Sequence, residues 1–180
     1  VADHLRALGM EVRTGIGVTG VSGVLRGGKP GPRIAIRADM DALPVIEAVD
    51  LPFASKVKTT YRGEAVGVMH ACGHDAHVAI LMGVAEELAA RRESLSGEVM
   101  FVFQPAEEGM GGARVMIEDG LFERFPVQSV YAMHNWPAMK PGTVGINGGA
   151  MMAAADRVTI DITGRGGHGA HPYQTVDVVL

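Results

Sequence analysis

Short apolar segments that alternate with helical segments are the feature that most constrains the fold of this chain. Residues 34–36, 98–103 and 129–133 are apolar runs of the kind found in strands covered on both faces. Residues 75–92 show helical periodicity, and residues 113–118 form a shorter helical segment that ends near Gly120. Strands that alternate with helices predict an α/β fold with helices on both faces of a mostly parallel sheet.

The remaining predicted elements set the domain organisation. Residues 1–9 read as a helix, and residues 21–25 and 33–37 as strands joined by a glycine-rich turn. Within the long helix, Asp75 is the predicted cap, and the predicted buried face consists of Ile80, Leu81, Val84 and Leu88. Residues 157–163 alternate between apolar and polar and predict a strand with one solvated face. We therefore predict a partial metal-binding catalytic domain at residues 1–152 and the start of a smaller α+β domain at residues 153–180.

Composition excludes several classes of protein. The formal net charge is −4, which argues against a nucleic-acid partner, because such partners favour a basic face. No apolar run reaches the ~20 residues that a membrane-spanning helix needs. Cys72 is the single cysteine, so an intrachain disulfide is impossible and a reducing, cytoplasmic location is expected. The chain opens on Val1 within a helical pattern and stops at Leu180 without a cap, so we expect a fragment of a longer protein.

Polar side chains that could bind a metal or take part in catalysis cluster directly after the predicted strands and before the long helix. They are Asp39 and Asp41, Glu107 and Glu108, His134, and the group Cys72, His74 and Asp75. Open α/β sheets place their sites outside the carboxyl ends of the strands. These side chains are therefore predicted to converge at one edge of the sheet.

Such a convergence of acids requires a cation. Five carboxylates brought close together would repel one another, and Arg37 is the one obvious basic residue nearby. Thiolate, imidazole and carboxylate are the usual ligands of Zn²⁺, Mn²⁺, Co²⁺ or Ni²⁺. Because the candidate ligands outnumber those that a single tetrahedral metal needs, two divalent metal ions are expected.

Each of these residues also has a simpler structural interpretation. A lone cysteine is most often a small core residue, although the sequence around Cys72 is too polar for a core. Asp39 and Asp41 could cap a turn, and Glu107 and Glu108 could be a solvated pair. His134 could be a satisfied loop histidine. His70 and His77 are candidates for supporting positions around a metal site and are not predicted ligands.

Several motifs together resemble one known family. The blocks are RADMDALP at residues 37–44, HACGHDAH at residues 70–77, FQPAEEG at residues 103–109 and MHNWP at residues 133–137. They resemble the aminoacylase and carboxypeptidase family of two-metal metallopeptidases. Within it, they are most similar to the amidohydrolase branch of hippurate hydrolases, N-acyl-amino-acid amidohydrolases and auxin-conjugate hydrolases. GRGGHGAHP at residues 164–172 resembles the family's entry into its lid, or dimerisation, domain.

The resemblance implies a role for each site residue. Cys72 would bridge the two metal ions, with His74, Glu108 and His134 as the other ligands. Glu107 would be the general base that takes a proton from the attacking water, and Asp41 would orient a ligand. His168 would enter from the lid and hold the substrate or the developing oxyanion, and His171 is not a fixed position of the family.

The resemblance also implies the reaction and the partners. The expected substrate is a small, hippurate-like N-acyl amino acid, whose amide bond is cleaved by a metal-activated water. A homodimer or higher homo-oligomer through the lid domain is expected. Family members are longer and take another histidine ligand from beyond the lid, so we expect this 180-residue piece to be inactive by itself.

Two alternatives stay open. In a thiol hydrolase, Cys72 would be the nucleophile and a histidine its base, but His74 is too near in sequence to pair readily with it on a helix. In a metal-binding homologue without catalysis, Glu107 would have no function, because a site that only binds metal does not need an acid beside its ligand.

Overall fold

The computed structural model describes residues 1–178, which divide into two compact units. The first unit spans Val1–Pro137 and the second begins at Ala138. This division falls before the predicted domain boundary at residue 152. It does not test that boundary, which stays a prediction. All metal ligands predicted from the sequence lie in the first unit.

A five-stranded sheet forms the centre of the first unit. Its strands are β1 (Glu11–Ile16), β2 (Gly20–Arg26), β3 (Lys29–Asp39), β6 (Ser96–Gln104) and β7 (Ser129–Ala132). Their order across the sheet is β1-β2-β6-β3-β7. β3 runs parallel to both β6 and β7, whereas β2 is antiparallel to β1 and to β6. β4 (Lys58–Tyr61) and β5 (Glu64–Gly67) form a separate two-stranded hairpin.

Helices cover both faces of the sheet, which confirms the predicted α/β class. They are α1 (Ala2–Ala7), α2 (His74–Ala90), α3 (Gly112–Glu118) and α4 (Leu121–Arg124). Alternate residues of β6 serve the two cores, because successive side chains of a strand point to opposite faces. Phe101 and Phe103 pack with α1 and α2, whereas Met100 and Val102 pack with α3 and α4.

Two details of α2 differ from the prediction. The helix begins at His74 after Gly73, which has a φ of +85°, so Asp75 is an exposed first-turn residue and does not cap it. Ile80 is 44% exposed, whereas Leu81 is buried and Val84 and Leu88 pack against the core as predicted. The other fully buried residues of the helix are His74, His77 and Ala85. The buried stripe is therefore rotated towards the histidines, because the first turn packs against the end of β3 and not against aliphatic core.

In the second unit, the predicted strand at residues 157–163 is wrong. These residues form no ladder with any described segment, and Val158, Ile160 and Ile162 are 80%, 74% and 66% exposed. Alternation makes a strand only where a neighbouring backbone can pair with it, and here none lies alongside. Within residues 1–178, no helix combines the length and apolar character needed to cross a bilayer.

Candidate metal centre

The carboxyl ends of the three parallel strands meet at one edge of the sheet. Asp39 ends β3, where it pairs in register with Gln104, the last residue of β6. β7 ends at Ala132, so His134 follows it by two residues. The amino-terminal end of α2 lies at the same edge, and its first residue, His74, approaches Asp39 at 3.6 Å. The edge predicted from the strand ends is thus where the polar side chains collect.

A hydrogen bond fixes the tautomer of His74 and leaves its second ring nitrogen unpaired. Its ring is fully buried, and Nδ1 lies 2.9 Å from the backbone oxygen of Asp41. A carbonyl oxygen can only accept, so Nδ1 carries the proton and donates it. Nε2 is then a lone-pair donor without any hydrogen-bond partner. A buried, unpaired nitrogen of this kind is costly unless something binds it.

His134 is oriented in the same way. Its Nδ1 donates to the backbone oxygen of Asn135 at 2.8 Å. Its Nε2 therefore faces the Cys72 sulfur, at 3.4 Å from Sγ. Both histidines fix Nδ1 on a backbone carbonyl and present Nε2, which is how metal-binding histidines are commonly held.

Glu107 and Glu108 lie on a loop after β6 whose backbone is strained at one residue. Ala106 has a φ of +54°, a left-handed conformation that costs a non-glycine residue about 1 kcal/mol or more. The backbone N–H of Glu108 donates to Asp41 Oδ2 at 3.0 Å, which fixes the loop after this turn. Glu108 Oε1 is buried without a partner and lies 3.8 Å from His74 Nε2. Glu107 is more exposed, and its Oε2 lies 3.9 Å from the same nitrogen.

Two groups of side chains have metal-ligand geometry, and His74 belongs to both. Cys72, His74 and His134 form the first group, and His74, Glu107 and Glu108 form the second. Within each group the potential ligand atoms lie within 4.8 Å of one another. Because His74 Nε2 and Glu108 Oε1 are buried and unsatisfied, the donor set fits divalent metal ions.

A third group, Asp39, His74 and His77, has comparable spacing. Two of its members already satisfy each other, since His77 Nδ1 lies 2.6 Å from Asp39 Oδ1. The contact of Arg37 Nη1 with Asp39 Oδ2 at 2.9 Å adds an ion pair. This group is therefore a hydrogen-bonded structure beside the two candidate metal groups.

The pKa values of two groups in this centre are shifted in opposite directions. Burial by itself raises the pKa of Asp39, but the hydrogen bond with His77 and the charge of Arg37 outweigh it, so the pKa is lowered. Burial raises the pKa of the Cys72 thiol to about 11, together with the charges of Glu108, Glu107 and Asp39. Asp39 is thus a carboxylate, and Cys72 stays a thiol at neutral pH unless a cation compensates the surrounding acids.

Other candidate residues lie outside these groups. Asp75 and His70 are exposed and belong to none of the metal-ligand groups found in residues 1–178. His168 lies in the second unit, where its Nδ1 accepts the N–H of Ala170 at 3.1 Å and its ring lies 5.6 Å from that of His171.

The sequence did not predict how His77 and Asn135 join this centre. His77 is 1% exposed, and its Nε2 contacts both the backbone nitrogen and the side chain of Asn135. The available signal was helical spacing, because a residue three positions after His74 shares its face of the helix.

The fold and the cluster define an α/β protein with a candidate metal centre at the carboxyl edge of its sheet. The sequence pattern of Peptidase family M20/M25/M40 matches residues 35–178. The chain belongs to this family.

Three similar proteins illustrate the relationship. The hippurate hydrolase of Campylobacter jejuni is 45% identical over 179 residues, covering 99% of this chain and 44% of its own length. Thermostable carboxypeptidase 1 of Saccharolobus solfataricus is 47% identical over 183 residues, covering 100% of this chain and 44% of its own. A dinuclear metal-binding M20 peptidase of Bacillus subtilis matches 81% of this chain and 38% of its own, with a TM-score of 0.71 and 44% identity. The chain thus spans less than half the length of these relatives.

Proposed function

We propose that the whole protein is a binuclear metal-dependent amidohydrolase that cleaves the amide bond of small N-acyl amino acids. The proposed ligands are Cys72, His74, Glu108 and His134. The observation that carries the proposal is the pair of side-chain groups that share His74, with two buried atoms, His74 Nε2 and Glu108 Oε1, lacking partners. A relative that hydrolyses hippurate and a dinuclear metal-binding relative support the substrate class and the metal count.

The chain's own residues supply binding, orientation and proton transfer. When bound, divalent metal ions lower the pKa of a water to about 7 and polarise the acyl oxygen. Glu107 Oε2 takes the proton of the attacking water and passes it to the leaving amine. Its greater exposure and its contact at 3.9 Å with His74 Nε2 suit a group that faces the substrate space beside the ligands.

Asp41 and His168 have supporting roles in this proposal. Asp41 accepts the Glu108 N–H with its carboxylate and binds His74 with its backbone oxygen, so one residue orients two ligands. His168 donates a hydrogen bond to the oxyanion that develops on the acyl group, and this role rests on its GRGGHGAHP motif alone.

The cellular setting follows from the chemistry of Cys72. A metal-binding thiolate must stay reduced, and Cys72 is a free cysteine, which supports a cytoplasmic location. We propose a homodimer or higher homo-oligomer through the lid domain, on the resemblance of residues 164–172 to that domain. The net charge of −4 supports small-molecule substrates over nucleic acid.

One observation favours a second candidate, the thiol hydrolase. His134 Nε2 lies 3.4 Å from Cys72 Sγ, so a cysteine–histidine pair exists, and its histidine is one that is distant from Cys72 in sequence. Against this candidate, a pKa of about 11 keeps the thiol protonated at neutral pH, and the neighbouring acids disfavour the thiolate. A nucleophilic cysteine needs the opposite electrostatic environment.

Removing the metals separates the two candidates. We expect a chelator to abolish hippurate hydrolysis by the whole protein and Mn²⁺, Co²⁺, Zn²⁺ or Ni²⁺ to restore it, because the ligands cannot activate water by themselves. The measurement is release of glycine from hippurate before chelation, after it and after each metal is added. Activity that persists in protein shown to be metal-free would reject the proposal and favour the cysteine nucleophile.

The same assay tests the substrate class. Because one relative is a carboxypeptidase, a dipeptide with a free carboxylate is the informative competitor to hippurate and to an N-acetyl amino acid. The proposal expects the highest kcat/KM on an N-acyl amino acid. Preference for the dipeptide would retain the metal mechanism and overturn the substrate assignment.

A further inference from the structure

A buried chain of hydrogen bonds runs behind the candidate ligands. Asp39 and His77 are each 1% exposed, and their contact joins the end of β3 to the first turn of α2. His77 Nδ1 donates to the Asp39 carboxylate, because a carboxylate can only accept. The imidazole is thereby fixed in orientation and tautomer, with Nε2 facing the loop after β7.

His77 holds Asn135 through that second nitrogen. The backbone N–H of Asn135 points at Nε2 over 3.0 Å, so Nε2 accepts and the ring is neutral. The atom of the Asn135 amide assigned as Oδ1 lies 2.7 Å from the same nitrogen, and exchanging the Oδ1 and Nδ2 positions makes this contact a hydrogen bond in which the NH₂ group donates to Nε2. One histidine thus fixes both the main chain and the side chain of Asn135.

Asn135 connects this support to two ligand segments. Its backbone oxygen accepts the Nδ1 proton of His134 and so sets which nitrogen of that ring faces Cys72. Its side chain packs on Gly73, where a Cβ would lie 2.7–2.8 Å from both terminal atoms of the Asn135 amide. Gly73 separates Cys72 from His74, so Asn135 lies against the segment that spaces these two ligands.

We infer that His77 is a positioning residue that is anchored by Asp39 and holds Asn135. Through Asn135 it sets the orientation of His134. Through the same residue it sets the spacing of Cys72 and His74. This inference rests on the proposed metal function. The His77 side chain is not a metal ligand, because both of its ring nitrogens already form hydrogen bonds. The effect of His77 on the metals is therefore indirect and acts through geometry.

Metal affinity and the Co²⁺ spectrum of the whole protein test this role directly. In His77→Phe, which fills the volume without either nitrogen, we expect affinity for Co²⁺ to fall 10–100-fold, the usual cost of losing an outer partner of a metal ligand. The thiolate-to-Co²⁺ absorption should shift, and kcat should fall more than KM changes. Affinity is measured by competition with a chromophoric chelator.

A destabilised protein is separated from a mispositioned ligand by two further variants. Leu81→Ala removes a buried side chain of the same helix that has no part in the chain from Asp39 to Asn135, and it should lower stability while leaving the Co²⁺ affinity and spectrum unchanged. Asn135→Ala, in a partly buried loop position, retains the backbone bond to His77 and should lower Co²⁺ affinity by a smaller factor than His77→Phe.

The outcomes distinguish the positioning role of His77 from the proposed metal function. Wild-type protein that binds Co²⁺, with unchanged affinity and spectrum in His77→Phe, overturns the positioning role and leaves the proposed function intact. If His77→Phe does not fold, Asn135→Ala decides, and wild-type affinity there overturns the role as well. Wild-type protein that binds no Co²⁺ overturns both proposals. An affinity loss in Leu81→Ala equal to that in His77→Phe assigns the effect to stability and also overturns the role.

Discussion

Replacing Glu107 by Gln should lower kcat/KM for hippurate by about 10²–10⁴-fold, the usual contribution of general-base catalysis. Glutamine retains the size of the side chain but cannot take a proton from water at neutral pH. Metal content should be unchanged, because the four proposed ligands remain. The measurement is steady-state hydrolysis beside metal analysis of the same preparation.

Two neighbouring changes make this result interpretable. Glu108→Gln should lose metal as well as activity, because Glu108 Oε1 is buried beside His74 Nε2 and is a proposed ligand. Glu118→Gln alters an exposed glutamate that pairs with Arg114 on α3, and its activity should match that of the wild type. Full activity of Glu107→Gln would show that the base has been assigned to the wrong residue.

His74→Ala should remove one metal ion from the centre, since its Nδ1 is held by Asp41 and its buried Nε2 can bind a single ion. We expect metal affinity to fall more than 100-fold, beyond the 10–100-fold typical for an outer partner. Cys72→Ala should lose both ions, because a bridging thiolate would hold both, whereas His134→Ala removes a proposed ligand of one ion. Metal content and affinity of the purified whole protein check the order of these losses.

His70→Ala is the matched control for that series. His70 lies in the same motif four residues before His74, yet it is exposed and outside the metal-ligand groups of the described chain. Its metal content and activity should equal those of the wild type. A His74→Ala protein that retains both metals would contradict the assignment of His74 as a ligand.

The sequence predicts the positions of the central strands but not the burial of each one. β7 was predicted to be covered on both faces, yet it lies at the edge of the sheet, with Val130 51% and Tyr131 57% exposed. The apolar run of β6 shows a buried strand without further information, because both of its faces pack in cores. β1 and the β4–β5 hairpin were not predicted, since their residues are largely polar and exposed and carry no clear alternation. The segment 157–163 shows the reverse error, because periodicity reports a face and not the presence of a pairing neighbour.

The candidate site could also be predicted from the sequence only in part. Asp39, Glu108 and His134 stand directly after strands, and parallel strand ends share one edge, so their convergence could be predicted. The chain from Asp39 through His77 to Asn135 could not, because its contacts join residues 38 and 58 positions apart. Helical spacing places His77 on the face of His74, but only the packed structure supplies its partners.

The most direct test is the metal content of the purified whole protein, measured by inductively coupled plasma mass spectrometry after reconstitution with Mn²⁺, Co²⁺, Zn²⁺ or Ni²⁺. The account predicts two metal ions per chain, because Cys72 would bridge two ions and the surrounding ligand groups leave buried donor atoms unsatisfied without them. A protein that folds and binds one ion or none with each of these metals would contradict it.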